Sequence, residues 1–352
     1  MTRAKVGAPR PNLEDVATLA GVSRATASRV VNGQASVAPE LRDRVDRAIV
    51  ELGYVPNQMA RALMTRRSDS IALVVPEPDV RVFADPFFSG IVRGVSLECS
   101  RAGLQLVLLM GPTPEELDRV RRFLRSGAVD AALLISEHWA GKVQPVLLID
   151  ANIPFVVGGR PMQPGLDVPY VDNDNVLGGR LAARHLTGIG RQVIGTVAGP
   201  RDMSAGIDRL DGFRGGLGRR YRASWVEHGD FTRAGGEAAT ERLLARVPDL
   251  DGLFAASDLM AVGAMDALRR AGRRIPEDVA VVGFDDNEFA RSADPPLTTV
   301  RQLPVVQGRE MVRLYLSQHR PDIPIPADEE IPDVREVDRI VLPVSLVVRE
   351  SA

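Results

Sequence analysis

The sequence of 352 residues is poor in cysteine and lysine: it has one cysteine, Cys99, and only two lysines. A single cysteine excludes an intrachain disulfide framework and any zinc module built on several cysteines. No uninterrupted apolar run reaches the roughly 18 residues that a membrane-spanning helix needs. The N-terminal segment has no apolar stretch of the kind found in secretory signals. We therefore expect a soluble protein of a reducing compartment, the bacterial cytoplasm, with no membrane partner.

Catalytic and nucleotide-binding motifs are absent as well. The sequence contains no HExxH, GxSxG, GxxxxGK[ST] or GxGxxG pattern. Its four histidines are scattered without the spacing of metal ligands, and the pair Glu115 and Glu116 has no motif that supports acid/base catalysis. We expect neither enzymatic activity nor a metal or cofactor.

Charge is distributed unevenly along the chain. Residues 1–68 contain 11 Lys/Arg and 6 Asp/Glu, a net charge of +5, whereas the whole chain contains 44 and 46. The remaining 284 residues therefore hold 33 basic and 40 acidic side chains, a net charge of −7. A small basic head on a mildly acidic body indicates that only the head meets a polyanion.

The basic head has the pattern of a helix-turn-helix. Apolar residues at helical spacing predict a first helix over 13–20, and Gly21 supplies a turn that favours positive φ. Ser23 is placed to cap a second helix over 24–31, which is the length that fits the DNA major groove. A third helix is predicted over 39–53, starting at a proline and ending at a glycine.

The acidic body alternates apolar runs with amphipathic segments, which predicts parallel strands covered by helices on both faces. Seven strands fall into two groups separated near residue 160, so we expect two doubly wound subdomains with a cleft at the carboxyl ends of their strands. The predicted strands are 70–76, 104–110, 129–135, 154–159, 193–199, 252–258 and 279–286, and 341–351 is predicted as the final strand.

Two stretches, NLEDVATLAGVSRATASRVVNG and VAPELRDRVDRAIVELGYVPNQMARAL, resemble the headpiece of the LacI/GalR family of transcriptional regulators. The body is similar to the periplasmic-binding-protein-like fold of the same family, and the resemblance covers roughly residues 12–320 and 339–352. The implied fold is an α-helical helix-turn-helix headpiece followed by an α/β body of two doubly wound parallel-sheet subdomains.

The resemblance implies four regions. Residues 1–54 are the DNA-binding headpiece and 55–68 a hinge helix with its linker. The N-subdomain takes residues 69–160 plus about 294–325, and the C-subdomain takes 161–293 plus about 335–352. The connections between the subdomains are expected near 160–168, 288–296 and 320–340.

The family's DNA-contacting positions can be carried over residue by residue. Arg24, Ala25 and Arg29 fall where the family reads base edges, and an arginine can grip guanine through two hydrogen bonds. Leu63 occupies the position of the leucine that wedges between base pairs through the minor groove. The implied DNA-binding residues are Ser23, Arg24, Ala25, Ser28, Arg29, Asn32, Asn57, Ala60, Arg61 and Leu63.

The effector-binding positions carry an arginine, carboxylates, short polar groups and aromatic rings. Charged side chains suit neighbouring hydroxyls, and a flat ring suits the apolar face of a sugar. The same groups would also hold a nucleobase, and one of the two phenylalanines at 87 and 88 is expected in the core. The implied effector-binding residues are Asp85, Phe87, Phe88, Asn173, Arg209, Phe231, Ser257 and Asp285.

These residues predict a sequence-specific transcriptional repressor that binds a palindromic operator as a homodimer. A small ligand, most simply a sugar, is expected to control its affinity for DNA. The alternative within the family is a corepressor-dependent repressor or an activator that responds to a nucleobase or another metabolite. A transport-binding protein would share the body but lack the headpiece. Residues 321–338, with seven acids and four prolines, are expected to be a solvated insertion, and its role stays open.

Overall fold

The computed structural model describes residues 11–31, 37–55, 67–136, 148–149, 151–163, 165–325 and 338–352. The chain divides into two compact units, Met1–Ser68 and Asp69–Ala352, which we call the headpiece and the body.

Three helices form the described part of the headpiece: α1 (Leu13–Ala20), α2 (Arg24–Val31) and α3 (Pro39–Leu52). The side chain of Asn12 accepts hydrogen bonds from the first turn of α1, and Gly21 ends that helix with φ +61°. The hydroxyl of Ser23 accepts a hydrogen bond from the Thr26 amide at 3.1 Å, so it caps α2 as the sequence predicts.

The headpiece core is small and comes from one face of each helix. Because each helix is short, its stability depends on this shared burial more than on helix propensity. The buried apolar side chains of the described headpiece are Val16, Ala17, Ala20, Ala27, Val30, Val37, Val45 and Ala48.

The body contains two six-stranded sheets, each with helices packed against it. The described strands are β1 (Ser70–Val75), β2 (Gln105–Met110), β3 (Ala131–Ile135), β4 (Phe155–Gly158), β5 (Tyr170–Asn173), β6 (Ile194–Ala198), β7 (Val226–His228), β8 (Gly252–Ala255), β9 (Ala280–Asp285), β10 (Thr298–Arg301), β11 (Arg339–Leu342) and β12 (Ser345–Val347).

The strand order is β11-β5-β4-β3-β1-β2 in the first sheet and β12-β10-β9-β8-β6-β7 in the second. All pairs are parallel except β10 with β12, which is antiparallel at the edge of the second sheet. Each sheet therefore has the doubly wound order in which ligands bind beyond the carboxyl ends of the strands.

Helices cover both sheets. Those of the body are α4 (Asp79–Ala84), α5 (Pro86–Arg101), α6 (Pro114–Arg125), α7 (Asn175–Gly188), α8 (Ser204–Leu217), α9 (Arg233–Arg246), α10 (Asp258–Arg270), α11 (Glu288–Ser292) and α12 (Pro304–His319). The first sheet packs with α4, α5, α6 and α12, and the second with α7 to α11. We call these two assemblies the first lobe and the second lobe.

The chain passes between the lobes later than the sequence predicts. The passages lie between β5 and α7, between β10 and α12, and between β11 and β12. The expected positions near 160–168, 288–296 and 320–340 precede each of these passages, because β5, β10 and β11 were not recognised as separate strands. Short strands that carry polar side chains, such as Asp172 and Thr298, lack the apolar run on which the prediction relied.

The prediction of a single final strand over 341–351 is also wrong. Residues 339–347 form two strands, β11 and β12, and each belongs to a different sheet. Pro343 separates them, and a proline cannot donate a hydrogen bond to a strand ladder.

Glycines allow α7 and α8 to approach each other at backbone contact. A Cβ atom added to Gly212 would lie 2.0 Å from the carbonyl oxygen of Val176, and one added to Gly179 would lie 2.0 Å from that of Arg209. Neither helix can admit a larger residue there without moving its neighbour. This close contact fixes the backbone of α8 around Arg209.

We predict that Gly212→Ala lowers the free energy of unfolding by about 1–3 kcal/mol, because the added methyl group overpacks a backbone contact. Gly215→Ala in the same helix is the matched control: that position is exposed and has no neighbouring atom within 4 Å. The control should be neutral or stabilising by up to about 1 kcal/mol, since alanine favours a helix. Equal effects of both substitutions in urea denaturation would contradict the packing argument.

Candidate DNA interface and effector cleft

The outer face of α2 is polar and accessible. Arg24, Ala25 and Arg29 are all exposed, whereas Ala27 and Val30 on the opposite face are buried. Arg24 lies 3.7 Å from Glu14, an ion pair so exposed that water screens it and a phosphate can replace it. This is the surface that a recognition helix presents to base edges.

Only half of the predicted DNA-binding residues lie within the part of the chain that the structure describes. Ser23, which precedes α2, is exposed, and Ser28 within α2 is half-buried. The Ser23 hydroxyl accepts the capping hydrogen bond from the Thr26 amide and shares a second hydrogen bond with the Thr26 hydroxyl at 2.9 Å. Asn32, Asn57, Ala60, Arg61 and Leu63 lie outside the described residues.

The eight predicted effector residues come together in one cleft between the lobes of the body. The cleft contains about 710 Å³ of space free of protein atoms, part of it open to solvent. Its lining consists of Arg81, Asp85, Phe87, Phe88, Ser136, Gly158, Gly159, Arg160, Asp172, Asn173, Asn175, Met203, Ser204, Ala205, Arg209, Phe231, Ser257, Asp285, Gln302 and Gln307. Most of these residues follow the carboxyl end of a strand, where the fold predicts a site.

Arg209 is the buried cation at the centre of the second lobe's wall, with only 5% of its surface exposed. Its Nε donates to the Asn175 side chain at 2.9 Å, and its Nη1 donates to the Ala256 carbonyl at 2.6 Å. The guanidinium lies 3.6 Å from the ring centroid of Phe284 and 3.7 Å from the Asp285 carboxylate. These contacts fix the plane of the guanidinium.

Asp285 ends β9 in a backbone conformation that non-glycine residues rarely adopt, with φ +128°. Its carboxylate accepts hydrogen bonds from the Gln302 side chain at 2.6 Å and from the Asp258 amide at 3.3 Å. Burial raises the pKa of Asp285 to about 7 despite the opposing effect of Arg209. A strained, desolvated carboxylate in a cleft is typical of a binding site.

Two further carboxyl groups share this low-dielectric environment. Burial raises the pKa of Asp172 to about 6, and burial also raises the pKa of Asp85. Asp85 additionally caps α5 by accepting a hydrogen bond from the Phe87 amide at 2.9 Å. The lining of the cleft contains these three carboxyl groups, Asp85, Asp172 and Asp285, and three arginines, Arg81, Arg160 and Arg209.

Three aromatic rings line the cleft. Phe87 and Phe88 meet edge to face with centroids 5.4 Å apart, and Phe88 is the one that belongs to the core, being 2% exposed. Phe231 is held at φ +64° with its ring against Gly199, where a side chain would collide with it. Phe231 is therefore a fixed flat surface on the second lobe.

Asn173 and Ser257 already have protein partners. The Asn173 amide donates to Gln307 at 2.9 Å and accepts from the Leu303 amide at 3.2 Å. The Ser257 hydroxyl accepts from the Met260 amide at 3.2 Å and so caps α10. Both residues line the cleft, but the hydrogen bonds described here stabilise the ends of the elements that form it.

Sequence reasoning missed the residues that reach across the cleft. Arg160, which follows β4 in the first lobe, forms a bidentate ion pair with Asp208 on α8 in the second, with contacts of 2.9 and 2.6 Å. Arg81 on α4 lies 3.9 Å from the sulfur of Met203 in the second lobe. Neither arginine belongs to a run or motif, so only the three-dimensional arrangement reveals them.

The neighbouring acids Asp258 and Asp286 have structural roles. Asp258 is fully buried, caps the turn at Asn287 and accepts from the Thr299 hydroxyl at 2.5 Å. Asp286 bonds to Arg301 and Arg349, and although burial opposes it, these cations lower its pKa. Neither aspartate lines the cleft.

Comparison with known proteins agrees with both halves of this description. A family model described as "Bacterial regulatory proteins, lacI family" matches residues 12–57, and one described as "Periplasmic binding protein-like domain" matches residues 183–352. The transcriptional regulator CelR of Thermobifida fusca is 48% identical over 97% of this chain and 98% of its own. The transcriptional repressor CytR of Escherichia coli strain K12 is 32% identical over 90% of this chain and 92% of its own.

Solved structures give the same result. A complex of the regulator CelR with cellobiose superposes with a TM-score of 0.74 at 46% identity, covering 97% of this chain and all of CelR. The Lac repressor dimer bound to operator and the anti-inducer ONPF superposes with a TM-score of 0.80 at 26% identity, covering 97% and 99%.

The fold and the relatives define a DNA-binding transcriptional regulator, not an enzyme. The chain belongs to the LacI family, as its headpiece motif predicts, and its body has the expected periplasmic-binding-protein-like fold. Within the described ranges, no helix is both long and apolar enough to cross a membrane.

The raised pKa of Asp285 leads to a prediction about stability. Between the pKa of an ordinary aspartate, 3.8, and the folded value of about 7, the folded state binds more protons than the unfolded state. The ligand-free protein therefore loses stability from this group as the pH rises through that window. From pH 5 to pH 8, the free energy of unfolding of Asp285→Asn should rise relative to wild type by about 1 kcal/mol or more.

Urea denaturation at several pH values measures this difference. Asp278→Asn is the control, because Asp278 is ion-paired with Arg274, which lowers its pKa. The free energy of unfolding of Asp278→Asn relative to wild type should not rise from pH 5 to pH 8. A flat difference for Asp285→Asn would show that Asp285 is ionised in the folded protein already at pH 5.

Proposed function

We propose that this protein is a homodimeric repressor that binds a palindromic operator and leaves it when a small carbohydrate enters the cleft of the body. The arrangement that carries the effector assignment is the fixed guanidinium of Arg209, with Asp285 and the ring of Phe231 beside it. The headpiece would supply the operator contacts.

The exposed face of α2 supports sequence-specific DNA binding. Arg24 and Arg29 lie one turn and a half apart on a helix whose apolar face is buried, so both side chains extend away from the headpiece core. We assign base readout to Arg24, Ala25 and Arg29, and phosphate contacts to Ser23 and Ser28. Two headpieces related by two-fold symmetry would read a palindrome.

The chemistry of the cleft supports a sugar as the effector. Buried carboxylates such as Asp285 and Asp172 accept hydrogen bonds from hydroxyl groups, the arginine donates to them, and Phe231 offers a face for a sugar ring. The related regulator CelR has been solved with cellobiose, and we extend that ligand class, a β-linked glucose disaccharide, to this chain.

The mode of control follows from the two lobes. A ligand that contacts both walls of the cleft stabilises one arrangement of the lobes, and it shifts DNA occupancy only by its difference in affinity between states, typically about 1–3 kcal/mol. The Lac repressor, a relative, has been solved as a dimer on its operator. We infer the same assembly here.

The test is to select DNA sequences bound by the purified full-length protein and then to add cellobiose, glucose or adenine. We expect enrichment of a palindrome of about 14–20 base pairs and its release by cellobiose. Enrichment only in the presence of a ligand would identify a corepressor instead. Release by adenine alone would replace the sugar with a nucleobase, and no enrichment under any condition would refute operator binding.

We predict that Arg29→Ala lowers affinity for the selected operator by about 5- to 100-fold, since a bidentate contact with guanine contributes about 1–3 kcal/mol of discrimination. Non-specific affinity should fall much less. Arg47→Ala, on the exposed face of α3, is the control for charge loss and should affect both kinds of DNA equally. Fluorescence anisotropy at fixed salt measures the affinity of wild type and of both variants for each kind of DNA. Equal losses in Arg29→Ala would remove Arg29 from base readout.

We predict that Asp285→Ala retains operator affinity but no longer responds to the effector, because the ligand loses its buried acceptor and Arg209 loses its nearest carboxylate. The control is Asp266→Ala, which removes a carboxylate from a surface ion pair with Arg233. Operator release by cellobiose should persist in the control. A normal response in Asp285→Ala would place the effector elsewhere.

A further inference from the structure

Arg81 has an unusual position between the two lobes. It is carried by the short helix α4, which follows β1, and its side chain is 15% exposed. Its guanidinium carbon lies 5.9 Å from the ring centroid of Phe88 in the first lobe and 5.7 Å from that of Phe231 in the second. The cation is thus placed between two aromatic rings from opposite walls of the cleft.

One edge of this guanidinium is firmly anchored. Nη1 donates to the carboxylate of Glu77 at 2.8 Å, and that carboxylate also accepts a hydrogen bond from the hydroxyl of Ser136. Glu77 is 3% exposed, so the ion pair is shielded from water. Ser136 holds its backbone at φ +62°, a strained conformation that proteins maintain at functional sites.

The Nε of Arg81 is different. It is buried, yet it has no hydrogen-bond partner among the described residues. A buried donor without an acceptor is unfavourable, and the cleft that Arg81 lines is where an acceptor would come from. The opposite nitrogen, Nη2, lies 3.9 Å from the weakly accepting sulfur of Met203.

We propose that Arg81 is an effector-contacting residue, whose Nε donates a hydrogen bond to an oxygen of the sugar in the cleft. This role rests on the proposed function and adds to it. Glu77 and Ser136 hold the guanidinium in place, and Phe88 and Phe231 limit its rotation. Because Arg81 belongs to the first lobe and Phe231 to the second, a sugar bound to both joins the two walls.

Arg81→Lys separates this role from a purely structural one. Lysine keeps the positive charge beside Glu77 but lacks Nε and the planar fork. We expect the variant to unfold at nearly the wild-type temperature and to bind cellobiose about 10- to 100-fold more weakly, the effect of losing a hydrogen bond to a charged donor. Arg119→Lys, on the exposed face of α6, is the matched control and should bind as wild type.

A set of cellobioses that each lack one hydroxyl group identifies the contact itself. Wild-type protein should bind one of these analogues much more weakly than cellobiose, whereas Arg81→Lys should bind that analogue and cellobiose with nearly equal affinity. A residue that only ties the lobes together would weaken all analogues by the same factor. Isothermal titration calorimetry measures each affinity.

The outcomes separate the assignment of Arg81 from the proposed effector class on which it rests. If wild-type protein binds cellobiose and Arg81→Lys binds it equally well, the assignment of Arg81 is wrong and the effector class stands. Uniform weakening across the analogues also overturns the contact. If wild-type protein does not bind cellobiose, the proposed effector class fails, and the assignment of Arg81 fails with it. To guard against misfolding, Arg81→Gln with Glu77→Gln, which removes both charges, should show the same loss of selectivity.

Discussion

The buried ion pair between Arg209 and Asp285 is the interaction on which the second lobe's wall depends. Two charges withdrawn from water are tolerated only where further hydrogen bonds satisfy them. Here Asn175 and the Ala256 carbonyl hold the arginine, while Gln302 and the Asp258 amide hold the aspartate. These partners come from α7, from the start of α10 and from the residues that follow β8 and β10. The pair therefore joins the carboxyl edge of the sheet to the helices that flank it.

The electrostatic balance of the cleft follows from that arrangement. Burial raises the pKa values of Asp285, Asp172 and Asp85, and the positive charge of Arg209, which lowers each of them, only partly offsets that effect. Hydroxyl groups stabilise an ionised carboxylate by donating to it, and a neutral polyol brings such donors without adding charge. Phe231 and Asp285 also hold strained backbones, so the geometry exists before any ligand arrives.

The sequence predicts the fold and many of the residues that form the site. It predicts the contacts between those residues less well. The seven predicted strands correspond to seven strands of the structure. An apolar run such as the one at β1 indicates a strand that is buried on both faces of its sheet, and it is easy to recognise in the sequence. β5, β7 and β10 were missed, because each is short and mixes polar with apolar side chains. All eight predicted effector residues line the cleft, since the ends of parallel strands converge there. Arg81 and Arg160 were not predicted, because isolated arginines carry no periodic signal and acquire meaning only from partners such as Met203 and Asp208, more than 45 positions away.

The hydrogen bonds of Gln302 show how a small ligand can act on the whole body. Gln302 lies in the passage between β10 and α12, and its amide donates to the same carboxylate that the proposed sugar would use. A second passage, after β5, begins at Asn173, whose amide bonds to Leu303 and Gln307 across the first. A hydroxyl that competes with Gln302 for Asp285 therefore acts on the segments that connect the lobes, not only on the walls of the cleft. Differential affinity for two lobe arrangements requires a contact that changes between them, and this carboxylate is positioned to provide one.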